Sequence, residues 1–357
     1  MKFARIEKII KKMNEENIDQ LIVSSQSSIF YITGEMINPK ERLLVICIDK
    51  DGRTVLVANK LFNELDKLDV EKLWYDDSMN PVELLSTVIK ENVTVAVDKI
   101  WHAHFFMNLI SLKKANYVAD SKIMCNVRMI KDEEEKQLMR ETCRVNETVL
   151  HELTGFVRDG ITEYELAKNL HELYNKYGAN GYEITPVVSF GKTAAEPHHR
   201  PDCTVLKNGD CMVMDMGART NGYRSDMTRT MFYKEVSSQM EKIYNIVLRA
   251  QLTALDSIKI GMKFCDIDKI ARDIIADEGY GQYFTHRLGH GIGIDGHEFP
   301  YVESKSEVVV QEGMVFSVEP GIYVPNLGGV RIEDLVVVNA DGIENLYTLP
   351  KELKILG

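Results

Sequence analysis

Apolar positions along this chain change their spacing as the sequence proceeds. Phe3, Ile6, Ile9, Ile10 and Met13 recur at helical spacing among Lys and Glu, which predicts an amphipathic helix. Short runs rich in Val, Ile and Leu follow at Leu21–Ser24, Leu43–Ile48, Thr54–Ala58 and Thr94–Asp98, with helical stretches between several of them. Runs this apolar suit strands covered on both faces, so the first third reads as an α/β layer around a largely buried sheet. The texture changes near Cys125–Met129. From Lys131-Asp-Glu-Glu-Glu a helical pattern runs through about Phe156, with acids in the first turn, where the helix dipole favours them. A domain boundary near residue 130 is expected, dividing the chain into 1–130 and 131–357.

The second part repeats itself. Gly160-Ile-Thr-Glu-Tyr-Glu-Leu-Ala opens one helix, and Gly261-Met-Lys-Phe-Cys-Asp-Ile-Asp-Lys-Ile-Ala opens another. After the first, Gly209 precedes Asp215 by six residues and Gly217 follows; after the second, Gly313 precedes Glu319 by six and Gly321 follows. Each half closes on Gly-x-Arg-x-acid, as Gly222-Tyr-Arg-Ser-Asp226 and Gly329-Val-Arg331-Ile-Glu333. Glycine-rich turns between short apolar runs predict hairpins. Each half is then a helix followed by a hairpin bearing two carboxylates, and a pseudo-two-fold pairing aims four carboxylates at one point.

Composition narrows the class. The chain has 357 residues, too many for one ordinary core, and 43 basic against 54 acidic residues give a net charge of −11. Without a basic block, such a surface repels phosphate backbones, so a nucleic-acid partner is not expected. The six cysteines show no C-x-x-C spacing and read as reduced thiols. The first residues lack the apolar core of a signal peptide, and no segment approaches the roughly 18 apolar residues of a membrane span. A cytoplasmic protein without a membrane partner is expected.

Four convergent carboxylates repel one another, and only a cation or clustered arginines make such an arrangement stable. Oxygen ligands supplemented by one imidazole suit a pair of divalent ions such as Mn, Co, Zn or Fe. His290, in Gly289-His290-Gly-Ile-Gly, supplies the imidazole, and its flanking glycines allow close backbone approach. Gly289–Gly293 also has the look of a dinucleotide loop, but histidine fills its tight turn and no βαβ unit surrounds it.

Four blocks carry a resemblance. Asp215-Met-Gly…Gly222-Tyr-Arg-Ser-Asp226-Met-Thr-Arg-Thr, Gly289-His290-Gly-Ile-Gly…His297-Glu-Phe-Pro300, Val318-Glu319-Pro-Gly-Ile-Tyr323 and Gly329-Val-Arg331-Ile-Glu333-Asp resemble the signatures of the Xaa-Pro peptidases. These are the prolidases and aminopeptidases P of the pita-bread metallopeptidase superfamily. The resemblance covers the whole chain and implies an α/β N-terminal domain followed by an α+β pita-bread catalytic domain with an internal pseudo-two-fold repeat. It also implies two divalent ions, manganese first and Co, Zn or Fe as alternatives, held by Asp215, Asp226, His290, Glu319 and Glu333. Asp226 and Glu333 bridge the ions in the family, and the attacking group is a hydroxide shared between them. Glu319 resembles the proton acceptor and shuttle, while His297 and His198, in Glu196-Pro-His198-His-Arg-Pro, match substrate-facing histidines. His199 has no matching role and reads as structural or solvent-exposed. Arg331 resembles an arginine that pairs with the carboxylates. A homodimer is implied by the family alone.

The implied reaction is hydrolysis of the Xaa-Pro bond, with a dipeptide substrate (prolidase) favoured over longer peptides (aminopeptidase P). Some prolidases grip the free carboxylate with an arginine where this chain has Tyr301, which leaves His198 or Arg200 as candidate substitutes and the substrate length open. A metal-free creatinase-like hydrolase and a non-catalytic binding protein are the remaining readings, and the complete acid set opposes both.

Overall fold

The computed structural model describes residues 1–120, 122–179 and 186–357. The chain divides into two compact units, Met1–Arg128 and Met129–Gly357.

The first unit holds helices α1 (Phe3–Glu15), α2 (Gln26–Thr33), α3 (Pro81–Ser86) and α4 (Ala103–Leu112), with α5 (Ile123–Met129) reaching the boundary. Its strands are β1 (Gln20–Val23), β2 (Val45–Asp49), β3 (Thr54–Asn59), β4 (Glu71–Tyr75), β5 (Thr94–Asp98) and β6 (Asn116–Asp120). They form one mixed sheet in the order β4-β3-β2-β1-β5-β6. The central strands β1 and β2 are buried throughout, as their unbroken apolar runs require. In α1, Ile6, Ile9 and Met13 are buried, and Phe3 stays exposed.

The second unit is built from two similar halves. Helix α6 (Glu133–Leu153) starts on a capping box, Asp132 receiving Glu135 N at 2.9 Å and Glu135 Oε2 receiving Asp132 N at 3.0 Å. Helix α7 (Glu163–Lys176) and strand β7 (Val187–Phe190) follow. Then β8 (Cys211–Met216) pairs antiparallel with β11 (Met227–Tyr233), and the small hairpin of β9 (Arg219–Thr220) and β10 (Tyr223–Arg224) forms its tip. The second half opens with α8 (Ser238–Ser257) and α9 (Phe264–Asp277), followed by β12 (Gly289–Gly291) and β13 (Glu298–Val302). Next, β14 (Val315–Val318) pairs antiparallel with β17 (Asp334–Asn339), with β15 (Gly321–Val324) and β16 (Gly328–Arg331) as the tip. With β18 (Gly342–Asn345) and β19 (Ile355–Leu356), the two main sheets run β19-β11-β8-β7 and β13-β12-β14-β17-β18.

Each expected hairpin is therefore a nested pair, a long outer hairpin with a short inner one at its end. The acids sit where outer strand gives way to inner. Ile243, Val247, Ala250, Phe264, Ile267 and Ala271 of α8 and α9 join Phe316, Val318, Val336 and Val338 in one buried cluster. Each large apolar side chain in it contributes about 1.5–3 kcal/mol by leaving water. That packing makes the strands carrying the acids a rigid base.

Candidate metal centre

The two nested hairpins bring their acids to one cleft. Asp215 lies near the end of β8, opposite Thr228 of β11, and Asp226 immediately precedes β11. Glu319 follows β14, and Glu333 lies between β16 and β17. His290 comes from β12, where its backbone N–H donates to Ser317 Oγ at 3.0 Å. Side-chain atoms of Asp215, Asp226 and Glu333 all lie within 4.8 Å of one another, and so do those of His290, Glu319 and Glu333. His198, His297 and Arg331 line the same cleft. The structure thus gathers the five expected ligands with His198, His297 and Arg331, but not His199 or Arg200.

The glycines beside His290 have a steric reason. A Cβ on Gly289 would stand 1.9 Å from Ser317 O, and one on Gly291 would stand 2.7 Å from Phe299 O. Only a bare backbone fits between β13 and β14 there. His290 Nδ1 lies 3.1 Å from Gly291 O, so Nδ1 carries the proton and Nε2 presents a lone pair. Burial, with His297 beside it, pushes the His290 pKa down to about 3, and the ring is neutral at ordinary pH. Yet Nε2 faces Glu319 Oε1 at 3.3 Å and Asp226 Oδ2 at 3.8 Å. A lone pair set against two acceptor oxygens is repulsive unless a cation lies between them.

The acids show the same imbalance. Burial and the neighbouring Asp215 and Glu319 raise the Asp226 pKa well above the carboxylate range. Burial, then Asp226 and Glu319, do the same for Glu333. Burial pushes Glu319 up to about 7 although Arg331 opposes the shift. Glu333 Oε2 accepts from Thr228 Oγ1 at 2.7 Å, but Oε1 is buried and has no partner among the described residues. An orphaned buried carboxylate oxygen, a bare imidazole nitrogen and mutually repelling acids fit a divalent ion pair in oxygen-rich coordination.

Arg331 is the cation that the protein itself supplies. Its Nη2 donates to Asp215 Oδ2 at 2.7 Å and its Nε to Thr228 Oγ1 at 3.0 Å. Strand β16 ends at Arg331, and the Glu333 N–H donates to Thr228 O at 3.1 Å. The His297 ring lies tilted against His290 at 3.9 Å between ring centroids and also falls within ligand reach of Asp226 and His290. Arg224 Nε donates to Ile294 O at 3.2 Å.

Sequence reasoning missed several contributors. Tyr323 Oη accepts from Arg331 Nη1 at 2.7 Å and donates to His286 Nε2 at 2.9 Å. Arg287 lines the cleft, its guanidinium 4.3 Å over the Tyr301 ring and 3.3 Å from His297 Nδ1. The His-Arg pair ahead of Leu288-Gly289-His290 was the available signal for both.

Residues 137–340 match metallopeptidase family M24, and residues 5–130 match the Creatinase/Prolidase N-terminal domain. This chain belongs to metallopeptidase family M24. It is 36% identical over 353 residues to an uncharacterized peptidase of Staphylococcus aureus, covering 96% of this chain and 98% of that one. Among solved structures, a prolidase from Thermococcus sibiricus superposes with TM-score 0.95 at 32% identity, covering 100% of this chain and 99% of the other. A dipeptidase from Pyrococcus horikoshii superposes with TM-score 0.94 at 34% identity, covering 99% and 100%. This M24 peptidase therefore has the creatinase-type N-terminal domain and the pita-bread catalytic domain of that group, and its family implies divalent metals. None of its described helices is long and apolar enough to cross a membrane.

Proposed function

We propose that this M24 peptidase is a dinuclear-metal Xaa-Pro dipeptidase whose five ligands are Asp215, Asp226, His290, Glu319 and Glu333. The observations that carry this reading are Glu333 Oε1, buried without a partner among the described residues, and His290 Nε2, which faces Glu319 and Asp226. Asp226 and Glu333, one from each hairpin, would hold the ions together with Asp215 of the first hairpin, Glu319 of the second and His290 of β12. Manganese is the proposed metal, since carboxylates dominate the donor set. When bound, the ions polarise the scissile carbonyl and lower the pKa of a water so that it attacks near neutral pH.

The chain's own residues do the remaining work. Glu319, held by Ser317 Oγ at 3.1 Å, takes the proton of the attacking water and delivers it to the departing proline nitrogen. His297 and His198 donate hydrogen bonds to the oxygen that gains negative charge. Arg331 keeps Asp215 oriented and offsets part of the acid cluster's charge. The peptide bond before proline is a tertiary amide without an N–H, so recognition rests on carbonyl and terminal groups.

Substrate length is read from Arg287. Stacked on Tyr301 at the cleft, it offers a planar cation to the free carboxylate of a dipeptide, and Arg200 does not line this cleft. The prolidase and dipeptidase relatives support the same length. A parallel assay of Xaa-Pro dipeptides and Xaa-Pro-Yaa tripeptides with Mn, Co and Zn tests the proposal. Faster turnover of the dipeptides with manganese is expected, and preference for tripeptides would identify an Xaa-Pro aminopeptidase instead.

A further inference from the structure

Outside the acid cluster, the second unit contains another tight group of chemistry-bearing side chains. Glu163 stands at the first position of α7, its side chain fully buried, and His199 faces it with its ring largely buried. His199 Nε2 donates to Glu163 Oε2 at 2.7 Å, and Asp202 N donates to the same oxygen at 3.1 Å. Glu163 Oε1 accepts from Phe190 N at 2.7 Å and from Thr193 Oγ1.

Glu163, His199 and Asp202 lie close enough to hold a metal ion, yet the donor count opposes that use. Four donors already occupy the Glu163 carboxylate, two on each oxygen, and Asp202 Oδ1 is taken by Thr204 N at 2.6 Å. A carboxylate saturated in this way is a structural acceptor, and its charge at the N-terminus of α7 is favourably placed.

What this acceptor ties down is the segment that carries His198. The chain leaves β7, turns through residues 191–195 and reaches Glu196-Pro197-His198-His199. His198 lines the metal cleft, and the next side chain, His199, turns the other way to Glu163. From the cleft side the same segment is held at Pro197 O by Arg331 Nη1 at 3.3 Å. The segment is thus fastened on both sides of the substrate-facing histidine, by Arg331 before it and by Glu163 after it.

We propose that Glu163 and His199 form a clasp that positions His198 for the substrate. His199 is then a positioning residue that acts through its neighbour, and Glu163 couples α7, β7 and the cleft loop through one carboxylate. A donor held only on one side can swing by an ångström or more, and a misplacement of that size costs roughly a hundredfold in rate. This rests on the reading of His198 as a substrate-facing donor.

The test is a double-mutant cycle on manganese-loaded full-length protein, with metal content and thermal melting measured alongside kcat and KM. His199→Leu keeps the metal content but lowers kcat roughly tenfold or more. His199→Gln, whose amide nitrogen can reach Glu163, restores most of the loss. In a His198→Ala background, His199→Leu costs little further. A His199→Leu effect equally large in both backgrounds overturns the clasp while leaving His198 as a substrate donor. A His198→Ala variant with wild-type kcat overturns the reading of His198, and with it the positioning role.

Discussion

Arg331 and Glu333 meet through one hydroxyl. Thr228 Oγ1 accepts from Arg331 Nε at 3.0 Å and donates to Glu333 Oε2 at 2.7 Å. The donation directs the threonine proton at the acid, and it leaves Glu333 Oε1 without a partner among the described residues.

The first prediction concerns that hydroxyl. Thr228→Val keeps the side chain's shape and β-propensity but removes both bonds. Losing a partner of this kind costs about 10–100-fold in metal affinity. Competition titration against a metal-binding dye reads the change directly. Unchanged affinity would show that Glu333 is oriented by the backbone alone.

A second prediction follows from the raised pKa values. In metal-free protein, burial and neighbouring acids raise Asp226 and Glu333 well above their ordinary range, and burial pushes Glu319 to about 7. A carboxyl raised on folding contributes stability that is fully present below its unfolded pKa and is lost as pH rises through its folded pKa. For Glu319 that window runs from its ordinary value of 4.5 to about 7. The metal-free centre therefore holds protons in mildly acidic solution and gives them up when metal binds. Calorimetric titrations in two buffers of different ionisation enthalpy should differ in apparent heat. Identical heats in both buffers would contradict the assignment.

His297→Ala should retain metal and lose rate. A donor placed at developing negative charge is worth about 3–4 kcal/mol, which is roughly 10²–10³ in kcat. Because His297 also lies within ligand reach of Asp226 and His290, metal content must be measured on the same sample. Loss of metal in that variant would assign His297 to coordination and remove it from the substrate-binding role.

Arg287→Gln addresses substrate length. Removing the cation should raise KM for Xaa-Pro dipeptides by roughly tenfold or more while changing kcat less, because the contact is made in ground and transition state alike. Amidating the dipeptide's C-terminus should cost the wild type as much and the variant little. Equal sensitivity of both proteins to amidation would place carboxylate recognition elsewhere.

Much of this site was legible along the chain because its signals are local. The paired Gly-x-Arg-x-acid endings of Asp226 and Glu333 and the glycines around His290 all lie within a few residues of the side chains they serve. The bonds that aim those side chains are not local. Thr228 reaches Glu333 across 105 positions, and Asn146 Nδ2 reaches Met216 O across 70. No spacing rule encodes such contacts.

The fold shows the same division. Buried β1 and β2 announce themselves as apolar runs, whereas the edge strands β4 and β6 were not anticipated. Edge positions tolerate Glu71, Lys72 and Asn116, which interrupt the apolar pattern. His199, read from sequence as structural or exposed, lies largely buried against Glu163.

The central claim is that four acids from the two nested hairpins, with His290 from β12, would hold a pair of ions. Elemental analysis of manganese-reconstituted protein, wild type beside Glu333→Ala, measures it most directly. The account predicts two ions per chain in the wild type. It predicts one or none, with activity lost, in a variant that keeps its secondary structure. A wild type that binds no divalent ion, or a Glu333→Ala variant that keeps both ions and near-normal turnover, would contradict it.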